Sequence, residues 1–137
     1  MNIRQALKTK LLATTAVTDL ITARLYPMRA PDDATFPFLI YKLISSSRDY
    51  SHDGAVGLVE SRFNIECRAR VYEDAVALAD AVRLTLSGTT GTWGDRDIGN
   101  CELINESDGF DFIAGADEED CYVIPLDFTI WHDEATS

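Results

Sequence analysis

The sequence is poor in the residues on which site chemistry most often depends. Its 137 residues include two histidines, His52 and His132, and three cysteines, Cys67, Cys101 and Cys121. They are scattered. No CxxC, HxxxH or HExxH spacing occurs, so the usual ligand sets for zinc are missing. An odd, widely spaced cysteine count does not make a disulfide scaffold, and it points to folding in a reducing cytoplasm. No apolar run approaches the ~20 residues of a membrane span. Arg4, Lys8 and Lys10 interrupt the first segment, which leaves no apolar signal-peptide core. Basic charge is scarce too. Twelve Lys and Arg stand against 23 Asp and Glu, for a net charge of −11. Such a chain lacks the basic footprint of a nucleic-acid binder and is disfavoured on anionic membranes.

What is present is ordinary for a globular chain. The composition is 46% hydrophobic and 26% charged, which excludes wholesale disorder and collagen-like repeats. The length fits a single domain over residues 1–137. The charge is unevenly placed. Residues 1–30 hold five basic and one acidic side chain, net +4. Residues 95–137 hold one basic and thirteen acidic side chains, net −12. This is either chance clustering on a soluble acidic surface or a pair of complementary faces for self-association.

The hydrophobic pattern gives the elements. Ile3, Ala6, Leu7 and Leu11 make a helical stripe. Thr15 or Thr18 can cap a second short turn holding Val17, Leu20 and Ile21. Pro27, Pro31 and Pro37 turn the next stretch into an extended connector. From Phe38 the pattern is β-rich. Phe63, Ile65, Cys67, Ala69 and Val71 alternate with Arg62, Asn64, Glu66, Arg68 and Arg70, which is the strongest strand signal in the chain. Asp53-Gly54 predicts a long hairpin with its tip near 51–57. Ala75, Leu78, Ala79, Val82 and Leu86 form the clearest helix stripe, stopped at Gly88. A turn-rich link, a short strand at CELINES, a loop and a final strand, CYVIPLDFTIWH, complete the chain. In that strand Pro125 argues for an edge or a bulge. The expected fold is α+β: about four mainly antiparallel strands with two helices on one face, in the order α-β-β-α-β-β. Phe63, Ile65, Leu78, Val82, Tyr122, Ile124, Leu126 and Phe128 are its expected core.

Catalytic motifs are missing. SGTTGTWGD has no Lys-Ser or Lys-Thr to finish a phosphate loop, and no GxSxG elbow occurs. ADEED holds four carboxylates, but its spacing is not that of a calcium loop. No catalytic residue, metal site or cofactor is expected. The chain reads as a binding module or a structural subunit, not an enzyme.

Taken in order, the segments resemble the small tail-completion or tail-terminator proteins of long-tailed bacteriophages. The matching stretches are AVTDLITARLYP, TFPFLIYKLISSS, SRFNIECRARVYEDAVALADAVRLTLSG and YVIPLDFTIW. Pro37-Phe38 enters the first strand, Tyr72 joins the second strand to its helix, and Trp131 lies in the closing aromatic strand. The resemblance covers residues 6 to 131; the acidic stretch 106–120 departs from the pattern by its length. It implies a homo-hexameric ring at the head-proximal end of the tail tube. Such a ring halts tube growth and joins the tail to the neck. It implies as partners further copies of the chain, the tail tube protein and the head-to-tail connector or neck proteins. DNA would pass through the lumen without specific binding, and no membrane is involved. The location implied is the virion tail, after synthesis in the host cytoplasm.

Two groups of residues are candidates for contact. The hairpin arm carries Arg48, Asp49, Tyr50, His52 and Asp53, an exposed aromatic among charges beyond the apolar alternation. The acidic segment contains Phe110, Phe112 and Ile113, which suit docking on protein. Its Asp117, Glu118, Glu119 and Asp120 suit solvent or a lumen wall that repels phosphate.

Overall fold

The computed structural model describes residues 2–31, 34–51, 54–111 and 121–133. The elements, in order, are α1 (Ile3–Leu12), α2 (Thr15–Ile21), β1 (Leu25–Pro27), β2 (Phe38–Ser51), β3 (Gly54–Ala69), α3 (Tyr72–Leu86), β4 (Gly91–Trp93), β5 (Arg96–Glu106), β6 (Gly109–Asp111) and β7 (Cys121–Asp133). The strands form one sheet in the order β1-β2-β3-β7-β5-β4, with β6 also paired to β7, and the sheet curls into a half-barrel. All pairings are antiparallel except β1 with β2.

The α+β expectation of four strands and two helices is therefore corrected to a mostly β domain with three helices. Each extra element hid behind a local signal. The proline-rich connector contains β1, a three-residue strand that aligns Leu25, Tyr26 and Pro27 with Leu39, Ile40 and Tyr41. Pro27 is at the end of an edge strand, where a missing amide costs least. The turn-rich link holds β4, which folds back on Arg96–Ile98 at the start of β5. The loop after β5 supplies β6. Pro125 also departs from expectation, because β7 lies between β3 and β5. It sits opposite the two-residue break between β5 and β6, where the ladder is already interrupted.

Period two on the strands and period 3.6 on the helices converge on one core. Across the sheet, Leu39, Cys67 and Ile124 are neighbours, as are Tyr41, Ile65 and Leu126. All six are buried. Leu7, Leu11, Val17, Ile21, Leu78, Val82 and Leu86 of the helices belong to the same cluster. Of the expected core, Phe63, Ile65, Leu78, Val82, Ile124, Leu126 and Phe128 are buried, and Tyr122 is half-buried against it. Helix ends are set locally. Asn2 Oδ1 accepts from the Gln5 amide at 2.9 Å and Gln5 returns the bond to the Asn2 amide at 2.8 Å, a reciprocal cap on α1. Thr14, rather than Thr15 or Thr18, stands at the N-terminus of α2. Glu73 and Asp74 occupy the first turn of α3, as the helix dipole favours. Gly88, at φ +72°, reverses the chain beyond it.

The three cysteines are buried and none of them forms a disulfide. Cys101 lies opposite Ile130 and Cys121 opposite Asp111, so the two sit far apart along β7. Burial pushes Cys67 well above the usual thiol range, with Glu106 and Glu66 adding to the shift. Burial, with Glu102 beside it, pushes Cys101 up to about 12. A thiolate is the reactive form. All three cysteines are therefore expected to resist alkylation in the native protein near pH ~8 and to react together on unfolding. Mass spectrometry after timed iodoacetamide treatment checks this; rapid single labelling of Cys67 or Cys101 would contradict the packing.

Candidate functional site

The features open to a partner are the two sides of the sheet and its two ends. On one side, β1 covers β2 only at Leu39–Tyr41. From Lys42 onward, β2 has no outer neighbour among the described residues. On the other side, β4 covers β5 only at Arg96–Ile98. The rest of β5, and β6 after it, has no outer strand among the described residues. An uncovered strand edge presents a row of backbone donors and acceptors to another chain. Both edges are kinked, at Leu43/Ser45 and Arg48/Tyr50 on β2, and at Ile98/Asn100 and Leu103/Asn105 on β5. The open part of β2 carries Lys42, Arg48 and Asp49, net +1, whereas the open part of β5 carries Glu102 and Glu106, net −2. Each edge also exposes an aliphatic residue, Ile44 on β2 and Ile104 on β5. Beside Ile44, exposed Met28 joins Lys42, Leu43 and Asn64 around a shallow hollow of about 510 Å³.

One end of the domain is the hairpin arm. β3 follows β7 only as far as the pairing of Leu58 with Asp133. Beyond it, Tyr50 pairs with Ala55 and Ser51 with Gly54, with no third strand among the described residues. The backbone of Asp49 and Tyr50 is thus part of an arm that runs past the sheet, and Arg48 stands exposed at its base. His52 and Asp53 lie outside the described residues.

The other end is aromatic. Phe110 is 55% exposed and meets Tyr122 edge-on at 5.1 Å. Tyr122 meets Tyr72 edge-on at 5.6 Å. The Tyr72 hydroxyl donates to Asp108 Oδ2 at 2.7 Å, and that bond raises the phenol pKa. The structure therefore brings Phe110 together with Tyr72 and Asp108, two residues that sequence reasoning did not place with it. The signal was weak, because Asp108 is 36 residues from its partner and reaches it only through the β6–β7 pairing. Phe112, Ile113, Asp117, Glu118, Glu119 and Asp120 lie outside the described residues. A second aromatic group sits at the same end. Phe38 contacts Tyr26 and Phe36, and the Arg70 guanidinium lies 4.6 Å over the Phe36 ring.

Among the described residues, no group of three or more His, Cys, Asp or Glu is placed to hold a metal ion. No described helix is long and apolar enough to cross a membrane.

Comparison with known proteins bears on these surfaces. A chain from the solved virion of a native gene transfer agent (GTA) particle has the same fold, with a TM-score of 0.72 at 17% identity over 96% of this chain and 95% of that one. A second solved chain matches with a TM-score of 0.60 at 13% identity over 98% of this chain and 96% of that one. No curated protein matches the sequence. The family described as tail completion protein gp17 matches residues 5–133. The chain belongs to the tail completion protein gp17 family and is a structural protein of the virion tail.

Proposed function

We propose that this protein is the tail terminator of its particle. Copies of the chain close head to tail into a six-membered ring at the head-proximal end of the tail tube. The ring stops tube growth and joins the tail to the neck. The observation that carries this reading is the pair of open edges on one curled sheet. They lie on opposite sides of the molecule, carry opposite charge and each present an exposed isoleucine. Two different surfaces that fit one another give a heterologous contact, and repetition of that contact under rotation closes a ring. Lys42 beside Glu102 or Glu106 of the next copy supplies register, and Ile104 seated in the Met28–Ile44 hollow supplies apolar area. The role is mechanical rather than enzymatic. Contacts with tube and neck proteins then fall to the two ends, the arm and the aromatic cluster. DNA crosses the lumen without specific binding.

Particles made without this protein test the reading. The expected result is tails of uncontrolled length that carry no heads, restored by supplying the protein. Tails of normal length joined to heads would overturn it. Labelled protein found at the distal tip would assign it instead to a minor tail component.

A further inference from the structure

The two open edges carry the same irregularity at the same height. Leu43, Phe63, Phe128 and Leu103 form one row across β2, β3, β7 and β5. The row on one side of it runs from Lys42 through Asn64 and Asp127 to Asn105. The row on the other side runs from Ser45 through Arg62 and Thr129 to Glu102. Between these flanking rows each edge strand holds one residue more than its inner neighbour. The extra residue is Ile44 on β2 and Ile104 on β5. A bulged residue of this kind is left without a ladder partner in its own sheet. These two are also the exposed aliphatic residues of the edges, Ile44 at 47% and Ile104 at 49%. Leu43 and Leu103 beside them are half-buried against the core.

We propose that the two bulges are the joint between copies: β2 of one copy pairs antiparallel with β5 of the next, Leu43-Ile44 against Leu103-Ile104. This rests on the reading that copies close head to tail into a ring. The direction follows from the strand order. β2 and β7 run one way, β3 and β5 the other. Rotation about an axis along the strands preserves direction, so β5 of one copy meets β2 of the next antiparallel. The register follows from the rows. Continuing the flanking rows from copy to copy sets Asn105 opposite Lys42 and Glu102 opposite Ser45. Two residues then remain on each strand between these pairs, and Ile104 falls opposite Leu43 and Leu103 opposite Ile44. Each strand has one residue too many for its own sheet, and the two extra residues cancel at the joint. Bulged against its inner neighbour, each strand is regular against the next copy. A bulge spoils an edge for an ordinary strand, so a partner with the matching extra residue is selected. The four aliphatic side chains close on one another and take both isoleucines out of water. The ladder has room from Lys42 to Ser47 and from Asn100 to Asn105, because β1 covers β2 up to Tyr41 and β4 covers β5 up to Ile98.

Disulfide trapping in assembled particles tests the joint. Ser45→Cys with Glu102→Cys in one chain puts one thiol on each edge. Within a copy the two lie three strand spacings apart, about 14 Å, which is too far for a disulfide. Between copies they are opposite in the ladder and within bonding range. Mild oxidation is expected to give a series of linked copies on a non-reducing gel. Neither single substitution nor the unsubstituted chain should give one. Ser45→Cys with Asn105→Cys, which a parallel pairing through Ile44 and Ile104 would set opposite, should stay unlinked. Ser45, Glu102 and Asn105 are all exposed, so the variants keep their fold, which circular dichroism verifies. Linked copies from the second pair, or dimers from a single substitution, would overturn the proposal. Absence of links from the first pair, in particles whose tails run overlong without the protein, would discard the joint and keep the terminator reading. Links from the first pair in particles whose tails keep normal length without the protein would do the reverse.

Discussion

Replacing Phe128 with alanine is expected to destabilise the domain by about 3–5 kcal/mol. Phe128 is fully buried near the middle of β7. Its ladder partners are Phe63 on β3 and Leu103 on β5, so three central strands meet at this position. Val82 and Leu78 of α3 belong to the same cluster. Alanine leaves a hole bounded by both sheet and helix, and a curled sheet held by β7 on both sides has little freedom to collapse into it. A domain stable by about 5–15 kcal/mol loses a large share of its margin. Phe128→Leu keeps most of the volume and is expected to cost about 1.5 kcal/mol or less. Urea denaturation of the two variants measures both losses. A loss below about 1 kcal/mol for alanine would take β7 out of the core.

That β7 is central was not legible in the sequence, and the reason is physical. Alternation tells which face of a strand is buried. It does not tell which strands are its neighbours. Phe63, Ile65 and Cys67 declared the apolar face of β3, and all are buried. Asp53-Gly54 predicted a β2–β3 hairpin with its tip near 51–57, and the two strands pair antiparallel as far as Ser51 with Gly54. Pro125 pointed to an edge or a bulge; β7 is not an edge, and local chemistry cannot see the break in the neighbouring strand that accommodates the proline. The short strands escaped for a related reason. Three residues of β1, β4 or β6 are too few for a period, and each exists only because a longer strand templates it. The Asn2–Gln5 cap was readable in principle, since the two residues sit at capping-box spacing with Asn and Gln in the usual roles of Ser or Thr and Glu.

The site shows the same division. The arm followed from a turn dipeptide beyond an apolar pattern. The open edges did not follow, because an edge is defined by a missing neighbour. What the sequence did show was the charge segregation, a basic first segment and an acidic last one. The structure puts Glu102 and Glu106 of the acidic segment on the β5 edge, whereas Lys42 and Arg48 of the β2 edge lie outside the basic first segment.

Deleting residues 49–55 is expected to abolish tail completion while leaving the fold and its stability nearly unchanged. The deletion retains the pairing of Arg48 with Val59 and leaves Val56, Gly57 and Leu58 to connect them. Three-residue hairpin connections are common, and a glycine supplies the backbone freedom they need. The core loses nothing, because among the described residues the arm beyond Leu58 pairs only with itself. The stability change should therefore stay within about 0.5 kcal/mol, as for surface substitutions. Function should respond very differently. A two-stranded arm standing clear of its sheet is marginal by itself, and it gains most from ordering against a partner. Tyr50, between Asp49 and the serine that ends β2, is the kind of amphipathic residue that anchors such contacts. If the arm engages the neighbouring copy or the neck, its loss removes an entire contact surface, and the yield of joined particles should fall by orders of magnitude. Complementation of particles lacking the protein, read by titre and electron microscopy, measures the effect. Full complementation by a folded deletion variant would show that the arm has no part in joining tail to head.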